Sequence, residues 1–131
     1  MQITKWAAMA VAALVVLAAG CRAGVPIYNV TESPVVASKA NPSADDVGRA
    51  IQRAGATLGW QMSATKPGNI LGTLNLRKHV AVVDINYNAK SYSINYKDST
   101  ELAYDGQNIH PNYNGWVQNL DKAIKVQLTN M

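Results

Sequence analysis

Two histidines are the side chains in this sequence best suited to acid–base or metal chemistry. His79 and His110 are the only histidines, and Asp84 and Asp105 are the carboxylates nearest to them along the chain. Such groups can hold a metal ion or exchange a proton when they meet in a fold. Their spacing fits no ligand motif, and His110 directly precedes Pro111. We therefore expect His79 and His110 to be surface or loop residues, with no metal and no other cofactor.

Other catalytic arrangements are missing from the sequence. It contains no GxSxG elbow, no HExxH pair and no phosphate-binding glycine loop. Asp84 alternates with Val80 and Val82, which makes it a solvated or singly paired carboxylate on the polar side of a strand. The sequence thus predicts no catalytic residue.

Cys21 is the only cysteine, and it follows residues typical of an export signal. Lys5 is followed by an apolar run over residues 6–19 and then by Gly20. This run is about fourteen residues long, whereas a membrane-spanning helix needs about twenty. The start of the chain therefore indicates export rather than a spanning helix.

The small residues directly before Cys21 resemble the lipobox of bacterial lipoproteins. The resemblance implies that residues 1–20 are a signal peptide removed before Cys21, and that the Cys21 sulfur carries a diacylglycerol with fatty acids such as palmitate. Ala18 stands where the family usually has Leu, and Leu17 lies one position earlier. Arg22 occupies the place where an inner-membrane retention signal has Asp. The resemblance thus favours the periplasmic face of the outer membrane.

The charge of the chain is mildly basic. Lys and Arg number 12 against 8 acidic residues, and loss of Lys5 with the signal leaves 11 against 8, a net charge of +3. This balance is compatible with anionic lipid or wall polymers. Apart from the adjacent Arg77 and Lys78, the basic residues are scattered singly, so nucleic acid is not an expected partner.

The mature chain divides into a tether and one small domain. Residues 21–42 carry the lipidated cysteine and three prolines, which favours a tether, although Val25 to Val30 could form a short edge strand. Residues 43–131 form the domain, which begins with a helix over Ser43 to Leu58. In that helix Asp45 is expected to pair with Arg49. Gly48 and Gly55 indicate close packing against its neighbour.

Period-two alternation predicts four strands after this helix. Their inward faces carry Trp60, Met62 and Ala64; Ile70, Gly72, Leu74 and Leu76; Ala81, Val83, Ile85 and Tyr87; and Tyr92, Ile94 and Tyr96. A final helix from about Asn112 to Leu128 follows, with an Asp121–Lys125 pair on its outer side. The expected fold class is α+β: a helix, a four-stranded antiparallel meander and a helix, with both helices on one face of the sheet.

The outward face of this meander is the predicted partner-binding surface. It is largely polar, with an apolar centre and a basic edge, a combination that can mark an interface. The candidate residues are Arg77, Lys78, Val80, Val82, Asp84 and Lys97. The tyrosines of residues 86–98 could instead form a glycan platform, but their spacing places them in the core.

Residues 109–120, IHPNYNGWVQNL, are similar to the C-terminal helix of small proteobacterial lipoproteins to which no activity is attached. The resulting hypothesis is an outer-membrane-anchored periplasmic lipoprotein that acts as a binding or accessory module for an envelope protein or for peptidoglycan. One alternative is a cell-wall hydrolase that uses His79, Asp84 or His110. Another is a structural or stress-related lipoprotein without a specific ligand.

Overall fold

The computed structural model describes residues 24–131, so the predicted signal peptide and Cys21 lie outside the described residues. Within that range the elements in chain order are β1 (Val25–Pro26), β2 (Val30–Pro34), α1 (Ala44–Thr57), β3 (Gln61–Lys66), β4 (Asn69–Leu76), β5 (His79–Tyr87), β6 (Ser91–Thr100), β7 (Asn108–Ile109) and α2 (Pro111–Thr129). None of the helices in residues 24–131 is long and apolar enough to cross a membrane.

The main sheet has five antiparallel strands in the order β2-β6-β5-β4-β3. Strands β3 to β6 are the predicted meander, and the α+β class is confirmed. The predicted number of four strands is wrong, because β2 adds an edge strand that pairs Val30 with Ile94 and Pro34 with Ser91. A separate short ladder joins β1 to β7 and pairs Val25 with Ile109.

The N-terminal segment runs along the domain rather than away from it. Val30 is buried, and beyond β2 the backbone N–H of Val35 donates to Lys90 and that of Ser38 donates to Leu128. The stretch predicted as a tether therefore contributes strands and backbone contacts from Gly24 onward. The three prolines of this stretch favour a tether when the sequence is read alone. In the fold, Pro34 and the left-handed Glu32 (φ 42°) interrupt the alternation that would mark β2 as a strand.

Both helices begin with identifiable caps. Ser43 and Asp46 form a reciprocal capping box at α1, which satisfies N–H groups that have no partner inside the helix. His110 caps α2 by accepting the Asn112 N–H, and Pro111 occupies the first turn. These caps explain why the observed helix ends lie close to the predicted ones.

Ion pairs on the helices follow the predicted spacing in one case only. Lys125 pairs with Asp121 at 2.7 Å, as predicted. Arg49 pairs with Asp46 at 2.8 Å, so the predicted pairing of Arg49 with Asp45 is wrong. Asp46 also faces Lys39 at 2.8 Å, which places two cations around one carboxylate.

The core lies between the helices and the face of the sheet predicted to point inward. Tyr87 on this face contacts α1 at Gly48, while Tyr92 on the same face donates a hydrogen bond to Asp121 of α2. The core aliphatics include Ile51, Ile70, Val83, Ile85, Ile94, Val117, Leu120 and Ile124, each of which is fully buried. Gly48 and Gly55 let the sheet approach α1 closely, as their positions predicted.

Candidate binding site

The opposite face of the sheet carries the side chains predicted to contact a partner. Val80, Val82 and Asp84 project from this open face of β5 and are half-buried. The register sets Asp84 opposite Leu71 of β4 and Val82 opposite Thr73. Leu71 is not among the predicted surface residues, although an apolar residue at an outward strand position is a signal for it. The apolar centre of the open face is therefore larger than predicted.

A hydrogen-bonded polar cluster occupies one end of this face, and Asn69 is its centre. The Asn69 Nδ2 group donates to Asp84 Oδ1 at 2.7 Å and to Asn86 Oδ1 at 2.9 Å. Asn69 Oδ1 accepts from the Thr65 hydroxyl at 2.5 Å. We call Thr65, Asn69, Asp84 and Asn86 the polar cluster. Because both ends of the Asn69 amide have partners, its orientation is fixed, and each of the other three side chains is held by a hydrogen bond to it.

Local backbone geometry brings these side chains together. A turn at Pro67 and Gly68, with Gly68 at φ 81°, leads directly into Asn69. The ladder between β3 and β4 skips Thr65, because Ala64 pairs with Ile70 and Lys66 with Asn69. Thr65 is thus the extra residue of a bulge, a feature that redirects side chains at sheet edges. Among the members of the polar cluster, only Asp84 is one of the residues predicted from the sequence to contact a partner.

The polar cluster lines an open cleft of about 430 Å³. Lys66, Leu71 and Lys97 complete its walls. Lys97 is an extra residue in β6, because the register changes from Val82 opposite Asp98 to Val83 opposite Tyr96. The cleft therefore places one fixed carboxylate and fixed amides between two flexible ammonium groups, beside an apolar side chain.

These groups equip the cleft to bind a polar ligand through hydrogen bonds. Asp84 Oδ2 and the Asn86 amide N–H₂ are directed by the bonds that the rest of each side chain makes to Asn69. Lys66 and Lys97 can turn toward acidic groups on a ligand. A site whose polar groups are already positioned loses less entropy when it binds.

The predicted surface residues do not all meet at the cleft. Asp84 and Lys97 line it, and Val82 lies one open-face position along β5. Arg77 and Lys78 form the turn between β4 and β5. Lys78, the nearer of the two to Asp84, lies six positions before it along the chain. At about 3.3 Å per residue this is a separation of roughly 20 Å. The predicted basic edge is therefore split between the two ends of the sheet.

The histidines meet each other but not Asp84. The rings of His79 and His110 are 6.1 Å apart, and Trp116 lies 6.3 Å from His79. His79 Nδ1 contacts the Glu101 carbonyl oxygen at 2.8 Å, and His110 Nδ1 caps α2. Asp84 comes five positions after His79 on β5, and this odd offset places the two side chains on opposite sides of the strand.

Carboxylates do not complete a cluster around these rings. Asp105 accepts from the N–H groups of Asn108 and Gln107 in its own loop, and these bonds, that from Asn108 first, hold the pKa of Asp105 below its usual value. Across residues 24–131 no group of three His, Cys, Asp or Glu side chains is placed to hold a metal ion. Both histidines instead make structural contacts to backbone groups.

The tyrosines pack inward, as their alternation predicted. Tyr92 and Tyr113 are buried, and Tyr96 is half-buried and stacks on Tyr104 at 4.0 Å between ring centroids. Burial raises the pKa of Tyr92, and the hydrogen bond to Asp121 raises it further. Burial likewise raises the pKa of Tyr113, whose hydroxyl is buried without a partner among the described residues. A glycan platform built on Tyr92 is therefore excluded by its position.

Comparison of the chain with models of protein families, with curated proteins and with solved structures gives no match.

Proposed function

We propose that the chain is a lipoprotein held by lipid on Cys21 at the periplasmic face of the outer membrane, and that its domain binds peptidoglycan through the cleft on the open sheet face. The observation that carries the binding site is the Asn69 amide, which orients Asp84 and Asn86 from a position that is only 8% exposed. Burying a polar side chain is costly unless it is fully bonded. An Asn that is buried to fix surface groups therefore supports a binding site.

The chemistry of the cleft favours this polymer over an apolar ligand. Peptidoglycan presents hydroxyls and amide N–H groups, which suit Asp84 Oδ2, and carbonyl oxygens, which suit the Asn86 amide N–H₂. It also presents carboxylates, which suit Lys66 and Lys97 at the cleft walls. Leu71 provides an apolar contact for a sugar ring or an acetyl methyl group. An envelope protein is the other partner that photo-crosslinking can identify.

Photo-crosslinking in cells tests the site. A crosslinking amino acid placed at Thr73 or Asn95 on the open face should attach the protein to peptidoglycan. The same group at Gln118 or Lys122, which are exposed on α2, should not. Equal crosslinking from both sides, or crosslinking from α2 alone, would contradict the proposed surface. Crosslinking to a protein instead of to peptidoglycan would show that the open face is the binding surface but that its partner is an envelope protein.

A matched pair of variants tests the cleft itself. Asp84→Asn removes the charge but retains an oxygen that can accept from Asn69, so the domain should fold and the crosslinking yield should fall several-fold. Asp98→Asn is the control, because it removes a carboxylate opposite Val82 on the same face and outside the polar cluster. An equal effect of the two variants would show that net charge, rather than the cleft, governs binding.

Lipidation of Cys21 requires its own measurement. Mass spectrometry of the mature amino terminus should show a cysteine that carries diacylglycerol, and membrane fractionation should recover the protein with the outer membrane. Two or more acyl chains provide stable anchoring where one does not. An unmodified Cys21 would contradict the anchor and leave the cleft to be tested separately.

A further inference from the structure

The described domain starts very close to the proposed lipid attachment site. Only Arg22 and Ala23 separate Cys21 from Gly24, the first described residue. Val25 is already paired with Ile109 in the fold. Three residue steps from Cys21 to Gly24 span at most about 11 Å. The end of the domain that carries β1 therefore cannot move far from a lipid on Cys21.

Three segments meet at that end, which we call the proximal end. They are the β1–β7 ladder, the loop over residues 101–107 and the turn between β4 and β5. The β4–β5 turn joins the others through His79, whose ring contacts the Glu101 carbonyl and lies 6.1 Å from the His110 ring. The turns at Gly68 and Lys90 belong to the opposite, distal end, where Tyr87 donates its N–H to the Gly68 carbonyl and Val35 donates to that of Lys90.

The proximal end exposes large apolar side chains. Leu58, Leu76 and Tyr104 are 41%, 43% and 39% exposed. Leu58 is the C-cap of α1 and lines a pocket with Trp116, whose ring lies 6.3 Å from that of His79, so Leu58 is at the same end. Leu76 is the last residue of β4. A lipid interface accepts such residues, since aromatic and aliphatic side chains with a polar neighbour are stable at head-group depth.

The charges of the proximal end also suit a lipid surface. Arg77 and Lys78 are exposed at the β4–β5 turn, where they can reach lipid phosphates. Glu101 and Asp105 are the acids of the neighbouring loop, and the Asp105 carboxylate is already bonded to backbone N–H groups of that loop. The proximal end is therefore close to neutral and does not repel anionic head groups.

We propose that the proximal end lies directly on the membrane, with Leu76, Arg77, Lys78 and Tyr104 in the head-group layer. This inference rests on lipidation of Cys21, which belongs to the proposed function. In this arrangement the domain lies in contact with the bilayer, and residues 21–42 do not act as a long tether that holds it away. The polar cluster lies at the distal end of the open face, so the cleft opens away from the lipid.

Depth measurements on the mature, lipidated full chain test this orientation. Because the Cys21 sulfur is bonded to lipid, a single introduced cysteine can carry a nitroxide label. The labelled proteins are Leu76→Cys and Gln107→Cys at the proximal end and Lys90→Cys at the distal end. They are reconstituted in vesicles of phosphatidylethanolamine and phosphatidylglycerol, and collision of each label with a water-soluble nickel chelate is measured.

The two proximal labels should be several-fold less accessible to the chelate than the label at Lys90. Agreement between Leu76→Cys and Gln107→Cys guards against a local effect of replacing Leu76. Equal accessibility at both ends, on protein whose lipid is verified by mass spectrometry, overturns the orientation and leaves the proposed function intact. Protection at Lys90 alone also overturns it. An unmodified Cys21 in that mass spectrum overturns the anchor and this inference together.

Discussion

The hydroxyl of Tyr87 lies against the backbone of Gly48, where a Cβ would fall 2.6 Å from the hydroxyl oxygen. A side chain at position 48 of α1 would therefore have to displace the Tyr87 ring. A helix interior normally disfavours glycine by about 1 kcal/mol relative to alanine. The close approach of Tyr87 explains why that cost is present here.

Gly48→Ala should lower the free energy of unfolding by roughly 1 kcal/mol. Displacing a packed ring costs about 1–3 kcal/mol, which exceeds the gain in helix propensity of about 1 kcal/mol. In a Tyr87→Ala background the obstacle is gone, so the same Gly48→Ala change should stabilise the protein. Urea denaturation of the four proteins of this cycle provides the measurement, and the same sign in both backgrounds would contradict the packing explanation.

Asn69→Ala should lower the free energy of unfolding by about 1–3 kcal/mol, because the polar cluster loses the donor that it shares. Asn86→Ala should cost less, since Asn86 is exposed and its partner Asn69 retains the bond to Asp84. Urea denaturation compares the two variants. An equal loss in both would mean that Asn69 is not the centre of the polar cluster.

The carboxylate of Asp46, which caps α1, should make the stability of the fold depend on pH in the acidic range. The hydrogen bond from Lys39, followed by that from the Ser43 N–H, holds the pKa of Asp46 well below its usual value. A carboxylate whose pKa is lowered by folding stabilises the protein fully when the pH is above its pKa in the unfolded state, which is about 3.9. This stabilisation is lost as the pH falls toward the pKa in the folded state. The unfolding temperature should therefore decrease when the pH is lowered below about 4.

Asp46→Asn should lower the unfolding temperature at neutral pH and flatten this acid dependence. Asp45→Asn is the matched control, because it removes a carboxylate from the same helical turn and leaves the capping box of Ser43 intact. Thermal unfolding followed from neutral to acidic pH distinguishes them. Parallel pH profiles for wild type and Asp46→Asn would show that Asp46 is not the responsible group.

Val30→Ala should lower the free energy of unfolding by about 2 kcal/mol, because it removes two buried methyl groups from strand β2 and leaves a space. Val36→Ala is the control in the same segment, since Val36 is 71% exposed and its truncation should change stability by less than about 0.5 kcal/mol. If both changes were neutral, β2 would not be part of the stable fold.

Elements with strong local patterns were predictable from the sequence. Each of the two helices and each of the four strands of the meander is marked by periodicity or by a cap within its own short stretch of sequence. Strand β2 was not predictable in this way, because Val30 finds its partner Ile94 far along the chain. Local periodicity carries no information on such a pairing.

The candidate site was predictable in part for a similar reason. Alternation placed Asp84 and Lys97 on the open face, and both line the cleft. It could not show that Asn69 meets Asp84, because that contact depends on the register between β4 and β5 and on the bulge at Thr65. The prediction groups Arg77 and Lys78 with the site because alternation indicates on which face of the sheet a residue lies. It does not indicate how far along the strand that residue is from Asp84.

The pairing of the first strands with the last part of the sheet has a consequence for the order of folding. Ribosomes deliver a chain from its amino terminus, so β1 and β2 emerge first. Their partners are β7 and β6, which means that Val25 must wait for Ile109 before it has a bonded neighbour. Contacts between residues so distant in sequence form slowly, because the intervening chain must be closed into a loop. The first two strands to appear are therefore the last to be paired, and until then β6 remains an open edge that a chaperone or another chain can occupy.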